Sequence, residues 1–340
     1  RRYMGALRAN SRHAWLINYL YGASPAVHDS FRPAHNILEP LAAHTLGWRD
    51  ATSLRMSELG YQNKTTFTVS NNDLATYVRD LASAVATPAP RFEHIGLYHA
   101  DGSRKQISTH ILQIANEYYA AARPKQPLRN NELPTLALAT RGIAYLELRL
   151  TDINPEDPCG ISPAQLNVLE TYLLYCLLHP EGPQNHAVRD ENDHNRLRTA
   201  CCGLSDGFSL KQARHDRPIQ DAALELLAAM QPIAARLDAE RGGSASSDAL
   251  AALTREVADK THLPYRAQAG NREGFLAYHL AWRDKHHATL HQPLPVAEEM
   301  ALAAQAAASL SKQAEIEAHP QADFETYLRE HFAPLQQLLN

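Results

Sequence analysis

The segment Ile143-Ala-Tyr-Leu-Glu-Leu-Arg-Leu150 holds the residues whose types and spacing are best suited to chemistry. Side chains alternate across a strand. Ala144, Leu146, Leu148 and Leu150 therefore share a core face, and Tyr145, Glu147 and Arg149 share the other. That second face sets a carboxylate and a guanidinium about 7 Å apart along the strand. A carboxylate lining an interior can hold a hard cation such as Mg²⁺, which takes oxygen ligands and keeps phosphate oxygens and waters bound. An arginine beside it can clamp the phosphoryl group held by that cation. The same alternation also describes a solvated sheet face, and periodicity alone leaves both readings open.

Three further clusters are rich in polar side chains. Arg55 and Tyr61 lie in one short segment, Thr52 to Lys64. Asn116-Glu-Tyr-Tyr119 is read as the end of a strand and runs into Arg123-Pro-Lys125, and Asp152-Ile-Asn-Pro155 follows the Glu147/Arg149 strand directly. Arginine with tyrosine can hold a small carboxylate through paired N–H donors and phenolic hydroxyls. The competing readings are polar surface for the first two clusters and an Asx turn for Asp152/Asn154. Of the 18 histidines, His286, His287 and His291 fall on one helix, but charged neighbours and the lack of an H-E-x-x-H pattern favour a solvated face over zinc. No nucleophile motif is present.

The elements that must position these groups follow from apolar spacing. Helices are expected over 2–21, ending at Gly22, and over 72–86, capped by Asn71 or Asn72. Glu93 to Tyr98 and Ser103 to Ile114, joined by Ala100-Asp-Gly102, read as a hairpin with His110 inside a strand. Beyond Pro158 the chain reads as helical at 162–179, 219–240, 247–260, 273–289 and 295–317, with a last helix from Phe324 toward Leu339. The stretches 182–195 and Gly242-Gly-Ser244 read as mobile connections. The class is α+β, with antiparallel strands before residue 160 and a mostly helical second half. Two regions are expected: 1–160 as a sheet-and-helix domain, and 161–340 as a helical region packed on it.

A chain of 340 residues can bury a substantial core, and its net charge of −4 offers no general attraction to nucleic acid or anionic membrane. No apolar stretch reaches the length of a membrane span, and no signal-peptide pattern opens the chain. Four scattered cysteines, without C-x-x-C spacing, fit a reducing cytoplasm, and the adjacent Cys201-Cys202 reads as two small residues before a turn. Arg1 opens inside a helical pattern without a methionine, as expected of a fragment.

Taken in order, five segments resemble the proteobacterial glutamate–cysteine ligase (γ-glutamylcysteine synthetase) family. They are Tyr19-Leu-Tyr-Gly-Ala-Ser-Pro-Ala26, Ala51 to Lys64, Leu112 to Tyr119 with Arg123-Pro-Lys125, Gly142 to Arg149, and Asp152 to Pro155. The likeness is strong over about 5–175 and thin beyond, apart from Phe324-x-x-Tyr327-Leu328. The resemblance implies a glutamine-synthetase-like antiparallel sheet with flanking helices. It also implies ATP-dependent joining of the glutamate γ-carboxylate to the cysteine amine through a γ-glutamyl phosphate. Its substrates would be L-glutamate, L-cysteine and ATP, with Mg²⁺ as cofactor. By the same resemblance Glu147 matches a metal-binding glutamate and Arg149 a phosphate-contacting arginine, while Arg55, Tyr61 and Tyr119 match residues that hold cysteine. Two departures stand out. The family's N-terminal portion, with most metal carboxylates and the glutamate-site residues, has no counterpart here, so the isolated chain is expected to lack a complete site. The family segment Asn-Trp-Asn-Arg…Glu-Gly-Arg-x-Pro-Gly-Leu appears as Asn195-Arg-Leu-Arg198…Cys202-Gly-Leu204 without its Glu and second Arg. The alternatives are a related ligase that takes a different amine, or an inactive helical scaffold.

Overall fold

Helix α1 (Arg2–Tyr21) buries fifteen of its twenty residues, so it is a central helix rather than an amphipathic surface one. The computed structural model describes all residues except 32–36, 62, 64–66, 130, 213, 214, 262–273, 321 and 340. α1 ends at Gly22, as its sequence suggested. The reason is close approach, since a Cβ there would lie 2.6 Å from the Thr52 carbonyl oxygen. Against α1 pack α5 (Pro163–Leu178) and α6 (His186–Cys202), and α7 (Ile219–Arg241) and α8 (Ala245–Ala258) pack on α5. The largest core joins Leu16, Ile17 and Leu20 of α1 to Tyr172, Leu227, Met230 and Leu250. It therefore draws on both sides of residue 160. A capping box starts α5: Ser162 accepts from the Gln165 N–H while the Gln165 side chain accepts from Ser162.

Helix α6 corrects the expectation of a mobile connection over 182–195. Asn185 caps it, accepting from the Val188 N–H. The helix packs through amides instead of an apolar stripe. Asn195 donates to the Lys211 carbonyl at 2.9 Å and accepts its N–H at 2.8 Å, and no hydrophobic periodicity signals that.

A second core gathers Met4 and Leu7 with α2 (Leu74–Ala86) and α4 (Pro134–Arg141). The cap of α2 is Asp73, one residue beyond the expected asparagines. Its carboxylate accepts the Thr76 N–H at 2.8 Å, while Asn72 is committed to a reciprocal pair with Gln184. The hairpin expected over 93–114 is also corrected. Pro90 opens a short helix, α3 (Pro90–Ile95), and Gly96 (φ 77°) stops it. The turn at 99–102 forms, but only isolated bridges, Tyr98 with Arg104 and Pro88 with His110, stand where strands were expected. Residues 115–117 form one 3₁₀ turn instead of a strand end.

Among the described residues, three small antiparallel sheets remain. β1 (Ala26–His28), β3 (Thr45–Gly47) and β2 (Glu39–Ala42) form one, in that order. β4 (Ala122–Lys125) pairs with β5 (Tyr145–Leu148), and β6 (Ser209–Leu210) pairs with β7 (Arg217–Pro218). On β5's core-facing set, Leu146 and Leu148 pack against both cores and Leu150 is 1% exposed, but Ala144 stands exposed just outside the strand. The chain ends in α9 (Gly274–Leu290), α10 (Val296–Ala318), α11 (Phe324–Phe332) and α12 (Leu335–Leu339). Exposed His287 of α9 stacks with His291, just past the helix end, whereas half-buried His286 bonds to the Pro155 carbonyl oxygen at 2.8 Å. No helix among the described residues is long and apolar enough to cross a membrane.

Candidate active site

The β4–β5 pair sets Arg123 directly opposite Glu147 and Lys125 opposite Tyr145. Arg123 is 8% exposed and uses its whole guanidinium. Nε and Nη2 reach Oε2 of Glu147 at 3.0 and 2.9 Å, and Nη1 donates to the carbonyls of Asn116 and Tyr118. Lys125 Nζ stands 4.0 Å from the same oxygen. Partial burial opposes ionisation of Glu147. The Arg123 hydrogen bond and the charges of Arg123, Lys125 and Arg149 outweigh it, holding the carboxyl below its usual range. Oε1 accepts no hydrogen bond from a described residue.

Arg149 follows β5, its N–H donating to the Ala121 carbonyl at 3.0 Å. Its guanidinium carbon lies 5.3 Å from the centre of the Tyr119 ring, within cation–π range. Asn63 fixes that tyrosine by a reciprocal amide pair, accepting the Tyr119 N–H at 2.9 Å and donating to its carbonyl at 3.0 Å. The phenol donates to Met56 Sδ, and the Tyr61 ring meets the Tyr119 ring edge-on at 5.9 Å. Tyr61 is 51% exposed, with its hydroxyl donating to the Glu117 carbonyl at 3.3 Å.

Arg55 completes the group from the loop after β3. Its Nε donates to Asp152 Oδ1 at 2.7 Å and its Nη2 to the Thr151 carbonyl at 2.6 Å, while its side chain stays half exposed. Asp152 is buried, and its other oxygen accepts from Ala23 N–H and Ser24 Oγ, tying the end of α1 to the strand exit. The Asx-turn reading thus holds for Asn154, which accepts the Glu156 N–H, and not for Asp152, which anchors Arg55.

All five residues singled out from the sequence, Arg55, Tyr61, Tyr119, Glu147 and Arg149, therefore belong to linked segments. Arg149 touches Tyr119, Tyr119 touches Tyr61, and Arg55 binds the backbone two residues past Arg149. Sequence reasoning assigned no role to Arg123, Lys125 or Asn63, and gave Asp152 only a turn. Arg-Pro-Lys125 was quoted only as a motif, and its place opposite Glu147 depends on strand register. Four cations, Arg55, Arg123, Lys125 and Arg149, surround two carboxylates, Glu147 and Asp152, an excess that suits an anionic ligand.

This mixture of helices and short antiparallel strands is that of a class of ligase. The family model described as glutamate-cysteine ligase matches residues 1–199, and the chain belongs to that family. Among curated relatives, the glutamate–cysteine ligase of Pseudomonas paraeruginosa is 38% identical over 348 residues, covering 99% of this chain and 65% of that protein. The one from Azotobacter vinelandii is 38% identical over 345 residues, covering 98% and 64%. This chain therefore spans slightly less than two thirds of those relatives. A solved glutamate–cysteine ligase of Francisella tularensis, in complex with AMP, superposes with a TM-score of 0.89 at 28% identity, covering 99% of this chain and 68% of that one.

Proposed function

We propose that this polypeptide supplies part of the active site of an enzyme that joins the γ-carboxylate of L-glutamate to the amine of L-cysteine at the expense of ATP, the first step of glutathione biosynthesis. The observation that carries this reading is the grouping of Tyr61, Tyr119 and Arg149 in successive contact, with Glu147 in the field of Arg149 and Arg55 bonded to the Thr151 carbonyl two residues on, in a chain of this family.

The chemistry divides between the two ends of that face. At one end, Arg55 keeps Nη1 free of described partners and offers it to the cysteine carboxylate, while the Tyr61 and Tyr119 hydroxyls would have to turn from the Glu117 carbonyl and Met56 Sδ to join it. At the other, Arg149 turns its N–H donors to the phosphoryl group as it passes to the glutamate γ-carboxylate. The cysteine amine then displaces phosphate from the γ-glutamyl phosphate, forming the amide and releasing phosphate and a proton. The chain's residues align and neutralise; none forms a covalent bond.

Mg²⁺ fits Glu147 as one ligand of several. The carboxylate is held ionised, and Oε1 is open to a cation while Oε2 is occupied. With Arg123 and Lys125 already beside that carboxylate, the cation gains from the oxygens of a bound nucleotide, in keeping with Mg²⁺'s habit of pairing one or two carboxylates with phosphates. Bound there, Mg²⁺ would neutralise charge on the phosphate oxygens. The test is ADP release by the gene's complete product. Release that requires both glutamate and cysteine supports the reading. Release with glutamate and another amine, but not cysteine, replaces it with a related ligase, and no release under any pairing leaves a scaffold.

A further inference from the structure

At the end of the β1–β3 pair, two imidazoles and a carboxylate converge away from the face described above. His28 closes β1 opposite Thr45, Asp29 follows it, and His44 precedes β3. The Asp29 carboxylate lies between the two rings. His28 Nδ1 is 3.3 Å from Oδ1 and His44 Nδ1 is 3.0 Å from Oδ2. The rings are stacked within 14° of parallel with centres 5.7 Å apart, and one donor atom from each residue lies within 4.8 Å of the others.

These separations are those of a first coordination sphere. Two ligands on a tetrahedral ion with bonds near 2.0 Å stand about 3.3 Å apart. Each nitrogen stands near that distance from one oxygen of the carboxylate, so a small turn of the carboxylate and a closer approach of the two rings complete the arrangement. The turn between β2 and β3 fixes His44 in place. His44 adopts φ 55°, a left-handed conformation unusual for a residue with a side chain, and Asp29 N–H holds it there by donating to the His44 carbonyl at 3.1 Å. The tautomer of His28 also suits a metal: Ser30 N–H points at its Nδ1 at 3.2 Å, so that nitrogen carries a lone pair, and a cation would displace this donor, the Ser30 hydroxyl at 2.9 Å and the hydrogen bond between His44 Nδ1 and Asp29 Oδ2.

We propose that His28, Asp29 and His44 bind a borderline divalent cation of the zinc class, leaving one position for water or a fourth ligand. Two imidazoles select against Mg²⁺, which takes oxygen donors, so this site is chemically distinct from Glu147. Its occupancy fastens β1 to the turn entering β3. These strands lie over the small cluster of Leu38, Leu46, Ala51 and Leu54, and Leu54 is the neighbour of Arg55.

The experiment is calorimetric titration of the chelator-stripped protein with Zn²⁺ and separately with Mg²⁺, with Co²⁺ absorption as a report on coordination. One equivalent of Zn²⁺ should bind, Co²⁺ should give a tetrahedral spectrum, and excess Mg²⁺ should not displace either. Asp29→Asn and His28→Gln should each weaken Zn²⁺ by about tenfold or more. His44→Gly should do the same while keeping the fold, because glycine accepts the positive φ. His287→Ala on exposed α9 should leave the affinity unchanged. Zn²⁺ binding that is absent, or that survives unaltered in His44→Gly and Asp29→Asn, overturns the proposal.

Discussion

Replacing Arg123 with methionine tests the physical basis of the candidate site directly, since it keeps the length of the chain and removes its charge. Three groups lose a donor: the Glu147 carboxylate and the carbonyls of Asn116 and Tyr118. Truncating one partner of a fully buried pair costs about 3–5 kcal/mol. Here Glu147 is 36% exposed on its side chain, so water recovers most of its loss and about 1 kcal/mol remains. The two carbonyls, half-buried, add roughly 1–2 kcal/mol together. The expected destabilisation is thus about 2–3 kcal/mol, read as a lower urea midpoint at unchanged slope. The pH dependence gives the second readout. Glu147 titrates low in the folded chain, so its pairing stabilises above the ordinary carboxylate range and is lost as pH falls through the folded value. The difference between wild type and Arg123→Met should therefore shrink at acid pH. A destabilisation below about 0.5 kcal/mol, or one indifferent to pH, would refute the claim that Arg123 sets the charge state of Glu147.

Other consequences can be checked independently. In the gene's complete product, Glu147→Ala should abolish ATP turnover, and near-normal turnover would remove the metal role. Arg55→Ala should raise the KM for cysteine about tenfold or more, the worth of one charge-assisted contact, and leave the Mg²⁺ requirement unchanged. Asp152 would keep its contacts with Ala23 and Ser24 but lose the countercharge on Oδ1, so stability should fall by about 1–3 kcal/mol as well. Burial, helped by the nearby Arg12 charge, lowers His13 from 6.5 to about 4. A half-buried histidine held neutral stabilises fully above 6.5 and loses that contribution as pH falls toward 4, so His13→Gln should flatten the stability profile in that window.

Much of this protein is legible without coordinates. Apolar spacing predicts α1, α5, α7, α8, α9 and α10 to within a few residues, because each sets enough large side chains on a face or is long enough to outweigh noise. The alternation at 143–150 identifies β5 and the shared face of Glu147 and Arg149, because strand geometry has a period of two. Ordered motifs place the chain in its family, and they pick out Arg55, Tyr61 and Tyr119 across a span no local rule connects.

Tertiary structure alone decided the rest. α6 packs by amide pairs, which leave no periodic signal. The expected hairpin over 93–114 gave way to α3 once Pro90 and Gly96 set its ends, and the cap of α2 fell to Asp73 because Asn72 was taken by Gln184. Arg123 became the partner of Glu147 through strand register, and Asp152 became the anchor of Arg55 through a contact 97 residues distant in sequence. The convergence of His28, Asp29 and His44 is of the same kind, since turn and register brought together residues whose spacing matches no ligand motif. Local sequence carries dihedral preference and facing; which charges end up paired depends on where separate segments meet, and that is a property of the folded chain.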